Sequence, residues 1–171
     1  IFKKMKKLYV VGNRTSKSLS PTIFNYWFKK YKIQATYGYL ELTEKNFHKK
    51  INEVLERKDT LGLNVTIPFK NKIIKHLSKI DTHAKKIGAV NCVTNKKTIN
   101  GTNTDWTGYY KTLPNIKKTK SRKVIILGYG GASHAIHYVL KKRGFKNILI
   151  FNRSKKKIKY SKKTHFTKTY S

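Results

Sequence analysis

The sequence predicts an α/β fold in two parts. Three observations predict it. Short apolar or Tyr-rich runs alternate with segments of helical periodicity. A polar break, PNIKKTKS at 114–121, separates a longer first part from a shorter second. A glycine-rich turn directly follows the apolar run at 124–127. Alternating strands and helices imply a mainly parallel sheet covered by helices. The domains so read are 1–113, a linker at 114–121, and 122–171.

Residues 7–11 read as a strand closing at Gly12. Ser20 is expected to cap a helix with Pro21 at its first position, running to about Tyr31. The Tyr-rich run 36–41 is strand-like. Thr43 is expected to cap a second helix, with Phe47, Ile51, Val54 and Leu55 at helical spacing. Residues 61–66 form a third strand. Pro68 is expected to open a helix carrying Ile73, Ile74 and Leu77. A helix over 81–87 ends at Gly88. Residues 89–94 and 98–101 bracket Asn95-Lys96-Lys97 in a hairpin-like connection, and 105–113 is helical. In the second part, 124–127 is a strand. A helix with Ile136, Val139 and Leu140 ends near Gly144, and 147–151 is a second apolar strand. The last eleven residues are polar and are expected to contain no strand. That would leave a nucleotide domain with two strands, where a doubly wound sheet typically has about six. The chain therefore reads as C-terminally truncated, and Ile1 leaves the N-terminus open to the same reading.

Forty Lys and Arg stand against seven Asp and Glu, a formal net charge of +33. Nucleic-acid binding, anionic metabolites and plain compositional bias all accommodate this. Nucleic-acid binders cluster charge on one face or tail, whereas here Lys is spread almost evenly, which favours bias. A lone cysteine, Cys92, forms no internal disulfide and fits a reducing cytoplasm; its plain reading is a small buried residue. The basic opening leads into an apolar run of 8–11 only, too short for a signal-peptide core, and nothing in the chain could span a membrane. No metal site is expected.

Gly128 and Gly130 follow an apolar strand and open a helix, as a dinucleotide turn requires. Glycine permits the tight turn and lets the backbone approach a pyrophosphate at the helix N-terminus. The third fingerprint position is Ser133, and an ordinary turn is the plain alternative. The end of the following strand selects the cofactor: an acid for the ribose of NAD, cations for the 2′-phosphate of NADP. Here stand Asn152-Arg153-Ser154-Lys155-Lys156-Lys157. Lysines 155–157 match the background, but Arg is rare in this chain and grips phosphate bidentately. The inference is NADP(H). Ser18 and Ser20 place two hydroxyls at a helix start, where a carboxylate is favoured beyond plain capping.

Gly12-Asn13, Ser18-Leu19-Ser20-Pro21, Asn64-Val65-Thr66-Ile67-Pro68-Phe69-Lys70, Gly88-Ala89-Val90-Asn91, Asn103-Thr104-Asp105, Gly128-Tyr129-Gly130-Gly131-Ala132-Ser133 and Asn152-Arg153-Ser154 follow one another in order. In order and spacing they resemble the shikimate dehydrogenase family, over about 7–157. The resemblance implies an N-terminal α/β shikimate-binding domain followed by an incomplete Rossmann domain for NADP. It implies NADPH-dependent reduction of 3-dehydroshikimate to shikimate, on the route to chorismate and the aromatic amino acids. By the same resemblance, Ser18 and Ser20 bind the substrate carboxylate. Thr66, Asn91 and Asp105 bind ring hydroxyls, and Lys70 and Asp105 form the catalytic pair. Gly128, Tyr129, Gly130, Gly131, Ala132 and Ser133 hold the pyrophosphate; Asn152, Arg153, Ser154 and Lys157 hold the adenosine 2′-phosphate.

The chemistry suits that pair. Reducing a ketone needs a hydride on carbon and a proton on the developing alkoxide. An ammonium can stabilise and protonate the oxygen, and a neighbouring carboxylate can orient the ammonium. Taken alone, Lys70 is a surface lysine in a lysine-rich chain; its place directly after NVTIPF overturns that. Asp105 alone reads as a helix N-cap, yet it is the single acid between 82 and 171. Trp106 and Tyr129 depart from the family pattern, where small residues are usual. The later family elements are absent, so little turnover is expected of these 171 residues alone. Alternatives left open are an NAD-dependent quinate/shikimate dehydrogenase, a basic nucleic-acid-binding module and a non-catalytic fragment. Monomer and homodimer are both compatible with the sequence.

Overall fold

The computed structural model describes residues 5–114 and 121–152, and the backbone of His165–Thr167. The chain divides into two compact units: Ile1–Lys85 with Ala89–Asn103, and Lys86–Gly88 with Thr104–Ser171.

The first unit is built on a six-stranded sheet in the order β2-β1-β3-β5-β6-β4. The strands are β1 (Lys6–Gly12), β2 (Ala35–Glu41), β3 (Thr60–Val65), β4 (Lys79–Ile80), β5 (Cys92–Asn95) and β6 (Ile99–Thr102). β1 runs parallel to β2 and β3. β5 runs antiparallel to β3 and β6, and β4 parallel to β6. Only β5 therefore points the other way. Helix α1 is Ser20–Lys30 and α2 is Phe47–Leu55. The helical stripe Phe47, Ile51, Val54 and Leu55 is buried, as the spacing predicts. It meets Val11, Leu63, Val65, Phe69, Ile73, Val90 and Val93 in one core. The side chain of Asn25 on α1 donates to Tyr37 O at 2.9 Å and accepts from Tyr37 N at 2.8 Å, which occupies backbone groups of the edge strand β2. Helix α3 spans Thr82–Ile87.

The second unit has a parallel three-stranded sheet, β7-β8-β9, from Lys123–Leu127, Asn147–Phe151 and His165–Thr167. Helix α4 is Asp105–Thr112 and α5 is Gly131–Lys142. Ile126, Tyr129, Leu140, Phe145, Ile148 and Ile150 form the core. α4 packs on α5 edge-to-face through Trp106 and Tyr138, and the Arg143 guanidinium lies 3.9 Å over the Tyr110 ring. The units divide after Asn103, so α4 belongs with the second; residues 115–120 of the polar break lie outside the described residues.

Several local expectations are corrected. Ser20 is not the cap of α1: Leu19 occupies the N-cap position, and the Ser18 hydroxyl accepts the Ser20 amide at 3.2 Å. Thr43 lies a turn before the start of α2: it exchanges side-chain to backbone bonds with Asn46 in a capping box, its carbonyl accepts the Phe47 amide at 3.0 Å, and the helix itself begins at Phe47 with Asn46 at the N-cap position. After Pro68 comes a short 3₁₀ helix, Lys72–His76, in place of an α-helix. The polar tail contains a strand, β9, paired in parallel to β8. Among the described residues no helix is long and apolar enough to cross a membrane.

Candidate functional site

Because β1, β3 and β6 point one way and β5 the other, the segments after β1, β3 and β6 and the one before β5 reach the same edge of the first sheet. Carboxyl ends of parallel strands are where open α/β sheets take ligands. Backbone bonds fasten that edge. Thr66 N donates to Val11 O at 2.8 Å, and Asn13 N to Ile67 O at 3.2 Å. Val65 N donates to Asn91 O at 2.9 Å, and Val90 N to Lys70 O at 2.8 Å. The segment of Thr66 and Lys70 and the distant segment of Asn91 are thus held together by main-chain bonds, and all three residues are half-buried. Gly12 makes the close approach possible: a Cβ there would lie 2.5 Å from Thr66 Cγ2 and 2.9 Å from Thr15 Cγ2.

Ser18 and Ser20 sit on the segment after β1, both half-buried. Glu41, at the end of β2, anchors that segment. Its Oε2 accepts from Thr15 N at 2.9 Å and Ser16 N at 3.1 Å. The Ser16 amide bond first, and then the Thr15 one, hold its carboxyl below the usual range against the opposing effect of burial. Sequence reasoning passed over Glu41; the scarcity of acids was the available signal. It also gave no role to Asn64 or Asn103. Asn64 Oδ1 accepts the Tyr37 hydroxyl at 2.6 Å, and burial pushes that phenol up to about 12, so it stays protonated. Asn103 is buried, donates to Ala89 O at 2.9 Å, and its amide donates to Asp81 Oδ2 at 3.3 Å. Asp81 Oδ1 also accepts the amides of His83 and Ala84, capping α3.

Lys70 belongs to the first unit and Asp105 to the second. Asp105 does not cap α4: Thr104 holds that position, no side chain bonds the cap, and Asp105 is the first helical residue.

In the second unit, β7 delivers the chain into Gly128, whose φ of +85° a side chain would strain. Gly128 N donates to Phe151 O at 2.7 Å, and Tyr129 N to Asn152 Oδ1 at 3.1 Å. The turn is therefore tied to the end of β8 at two adjacent amides. Gly130 caps α5, and a Cβ at Gly130 would meet nothing within 4 Å among the described residues. Open space over the start of a twelve-residue helix fits a phosphate-bearing ligand. Gly131, Ala132 and Ser133 form its first turn. Arg153, Ser154 and Lys157 lie outside the described residues.

Residues 10–93 match the family model described as the shikimate dehydrogenase substrate binding domain. Over these residues the chain is similar to the substrate-binding domain of the shikimate dehydrogenases. The family's shikimate dehydrogenase (NADP(+)) from Pelagibacter ubique is 39% identical over 170 residues, covering 95% of this chain and 62% of its own. Shikimate dehydrogenase from Thermotoga petrophila is 35% identical over 148 residues, covering 86% of this chain and 55% of its own. The chain thus spans somewhat more than half the length of these relatives. The crystal structure of shikimate 5-dehydrogenase from Thermus thermophilus, in complex with NADP(H) and shikimate, superposes with a TM-score of 0.73. It is 26% identical, covering 88% of this chain and 57% of that one.

Proposed function

We propose that this chain carries the shikimate-binding domain and part of the NADP-binding domain of an NADPH-dependent shikimate dehydrogenase. The observation that carries the reading is the fastening of Thr66, Lys70 and Asn91 around the carboxyl end of β3, on the segment that matches the family's substrate domain. Support for the ligands comes from the Thermus enzyme, solved with NADP(H) and shikimate, and from the NADP(+) enzyme of Pelagibacter.

In this reading Ser18 and Ser20 present hydroxyls to the substrate carboxylate, and the start of α1 adds favourable partial charge. Thr66, Asn91 and Asp105 take the ring hydroxyls. Lys70, as an ammonium, stabilises the negative charge that develops on the carbonyl oxygen and gives it a proton, while Asp105 orients the ammonium. Bound NADPH supplies the hydride. Gly128, Tyr129, Gly130, Gly131, Ala132 and Ser133 would hold its pyrophosphate, with Asn152, Arg153, Ser154 and Lys157 toward the 2′-phosphate. Cytoplasmic residence belongs to the same reading, supported by the single free cysteine.

The test is kinetic. In a shikimate dehydrogenase carrying this chain, shikimate oxidation is followed by NADPH absorbance for the parent and for Lys70→Met. A fall in kcat of roughly 10²–10⁴-fold is expected for loss of the group that takes the hydroxyl proton in oxidation and returns it in reduction. Unchanged kcat would remove Lys70 from the chemistry.

A further inference from the structure

We propose that Tyr129 and His137 form a positioning pair for the glycine turn: the buried phenol, tied to a buried imidazole, holds residues 128–133 in the shape that receives a pyrophosphate. This rests on reading the turn as the dinucleotide site.

Tyr129 occupies a turn position, yet only 6% of it is exposed, and its ring lies in the core of the second unit with Ile126, Leu140 and Ile148. It is pinned at both ends. Its amide donates to Asn152 Oδ1 at 3.1 Å, and its hydroxyl lies 3.2 Å from His137 Nδ1. The His134 ring covers it at a centroid distance of 4.4 Å, and His134 Nδ1 lies 3.2 Å from Ile87 O. One residue therefore couples the end of β8, the turn and the first two turns of α5. Burial pushes the phenol up to about 12 and, with smaller effects from Lys141 and His134, the His137 imidazole down to about 4. At neutral pH both groups are uncharged, and the hydroxyl and Nδ1 share one hydrogen bond whose direction follows the imidazole tautomer.

The arrangement carries a cost. His137 is 3% exposed, and its Nε2 has no hydrogen-bond partner among the described residues. An apolar side chain of similar size would avoid leaving that buried nitrogen unpaired. Keeping the imidazole fits a role in fixing the turn before the ligand arrives, which lowers the ordering cost of binding.

The experiment combines NADP+ calorimetry, shikimate calorimetry and amide hydrogen exchange on the 171-residue chain. Tyr129→Phe keeps the ring and removes the hydroxyl. It is expected to weaken NADP+ binding by roughly two- to tenfold, the yield of one hydrogen bond. It is also expected to speed exchange of the amides at 129–133 and to leave shikimate affinity unchanged. His137→Leu should behave alike. His137→Asn, which keeps an acceptor near the Nδ1 position, should restore most of the NADP+ affinity. A parent chain that binds NADP+ and a Tyr129→Phe variant that binds and exchanges identically would overturn the pair alone. A parent chain that binds shikimate but no NADP+ would overturn the dinucleotide reading and the pair with it.

Discussion

Every acidic residue except Asp105 lies in the first unit, and the two units are internally secured by different chemistry. In the first, carboxylates do the fastening. Glu41 takes the amides of Thr15 and Ser16, Asp81 caps α3 and takes the Asn103 amide, and Asp59 pairs with Lys7 and Arg57. In the second, neutral or cationic groups do it: Asn152 to the Tyr129 amide, Tyr129 to His137, and Arg143 to the Tyr110 carbonyl and ring. In a chain of +33, cations far outnumber carboxylates. Two of the acids in the first unit nevertheless accept backbone amides around the sheet edge assigned to the substrate. Asp105, the one acid of the second unit, is not used as a helix cap. The difference separates carboxylates that shape the site from the one proposed to act in it.

The largest effect expected is on turnover. Lys70→Met in the first unit and Asp105→Asn in the second should each lower kcat by roughly 10²–10⁴-fold if each supplies one half of the proposed proton-handling pair. A loss confined to one of them would break the pairing. Next come the glycines. Gly12→Val drives a side chain into Thr66 and Thr15, and should cost about 1–3 kcal/mol in urea denaturation while impairing shikimate binding. Gly128→Ala meets no neighbour but must adopt a φ of +85°, and should cost about 1–2 kcal/mol and weaken NADP+ binding instead.

The units should also differ toward acid. His137 has its pKa lowered from 6.5 to about 4 by burial, so the folded form refuses a proton that the unfolded chain accepts. Its contribution is whole above pH 6.5 and is lost as pH falls toward 4. Asp59 has its pKa lowered from 3.8 to about 2, first by Arg57 and then by Lys7. Its contribution is whole above pH 3.8 and is lost as pH falls through 2. His76 in the first unit is also pushed down, by burial, His48 and Lys75, so the variants decide the attribution. His137→Phe should flatten the stability profile between pH 6.5 and 4, and Asp59→Asn the profile between 4 and 2, each read by thermal melting. The smallest effect is expected from Glu41→Gln: a modest loss of shikimate affinity as the Thr15 and Ser16 amides lose their anion, with NADP+ binding unchanged.

Much of this was legible in the sequence. Apolar runs located β7 and β8, the period of Phe47, Ile51, Val54 and Leu55 located α2, and the glycines located the turn before α5. What escaped is set by distant partners. The two residues of β4 exist because β6 pairs with them. β9 is polar in sequence and is a strand through its pairing with β8. The roles of Glu41 and Tyr129 depend on where their side chains end, which no local pattern records. Ser20 and Thr43 are good capping residues, but Ser18 accepts the Ser20 amide with Leu19 at the N-cap, and Thr43 pairs with Asn46 one turn ahead of the helix, so the starts fall elsewhere.

The most direct measurement of the central claim is shikimate calorimetry on the 171-residue chain, parent against Lys70→Met. Saturable binding by the parent, and binding weakened at least about tenfold by loss of a charged hydrogen bond in the variant, is the predicted result. Equal affinity in the two, or a parent that binds no shikimate, would contradict it.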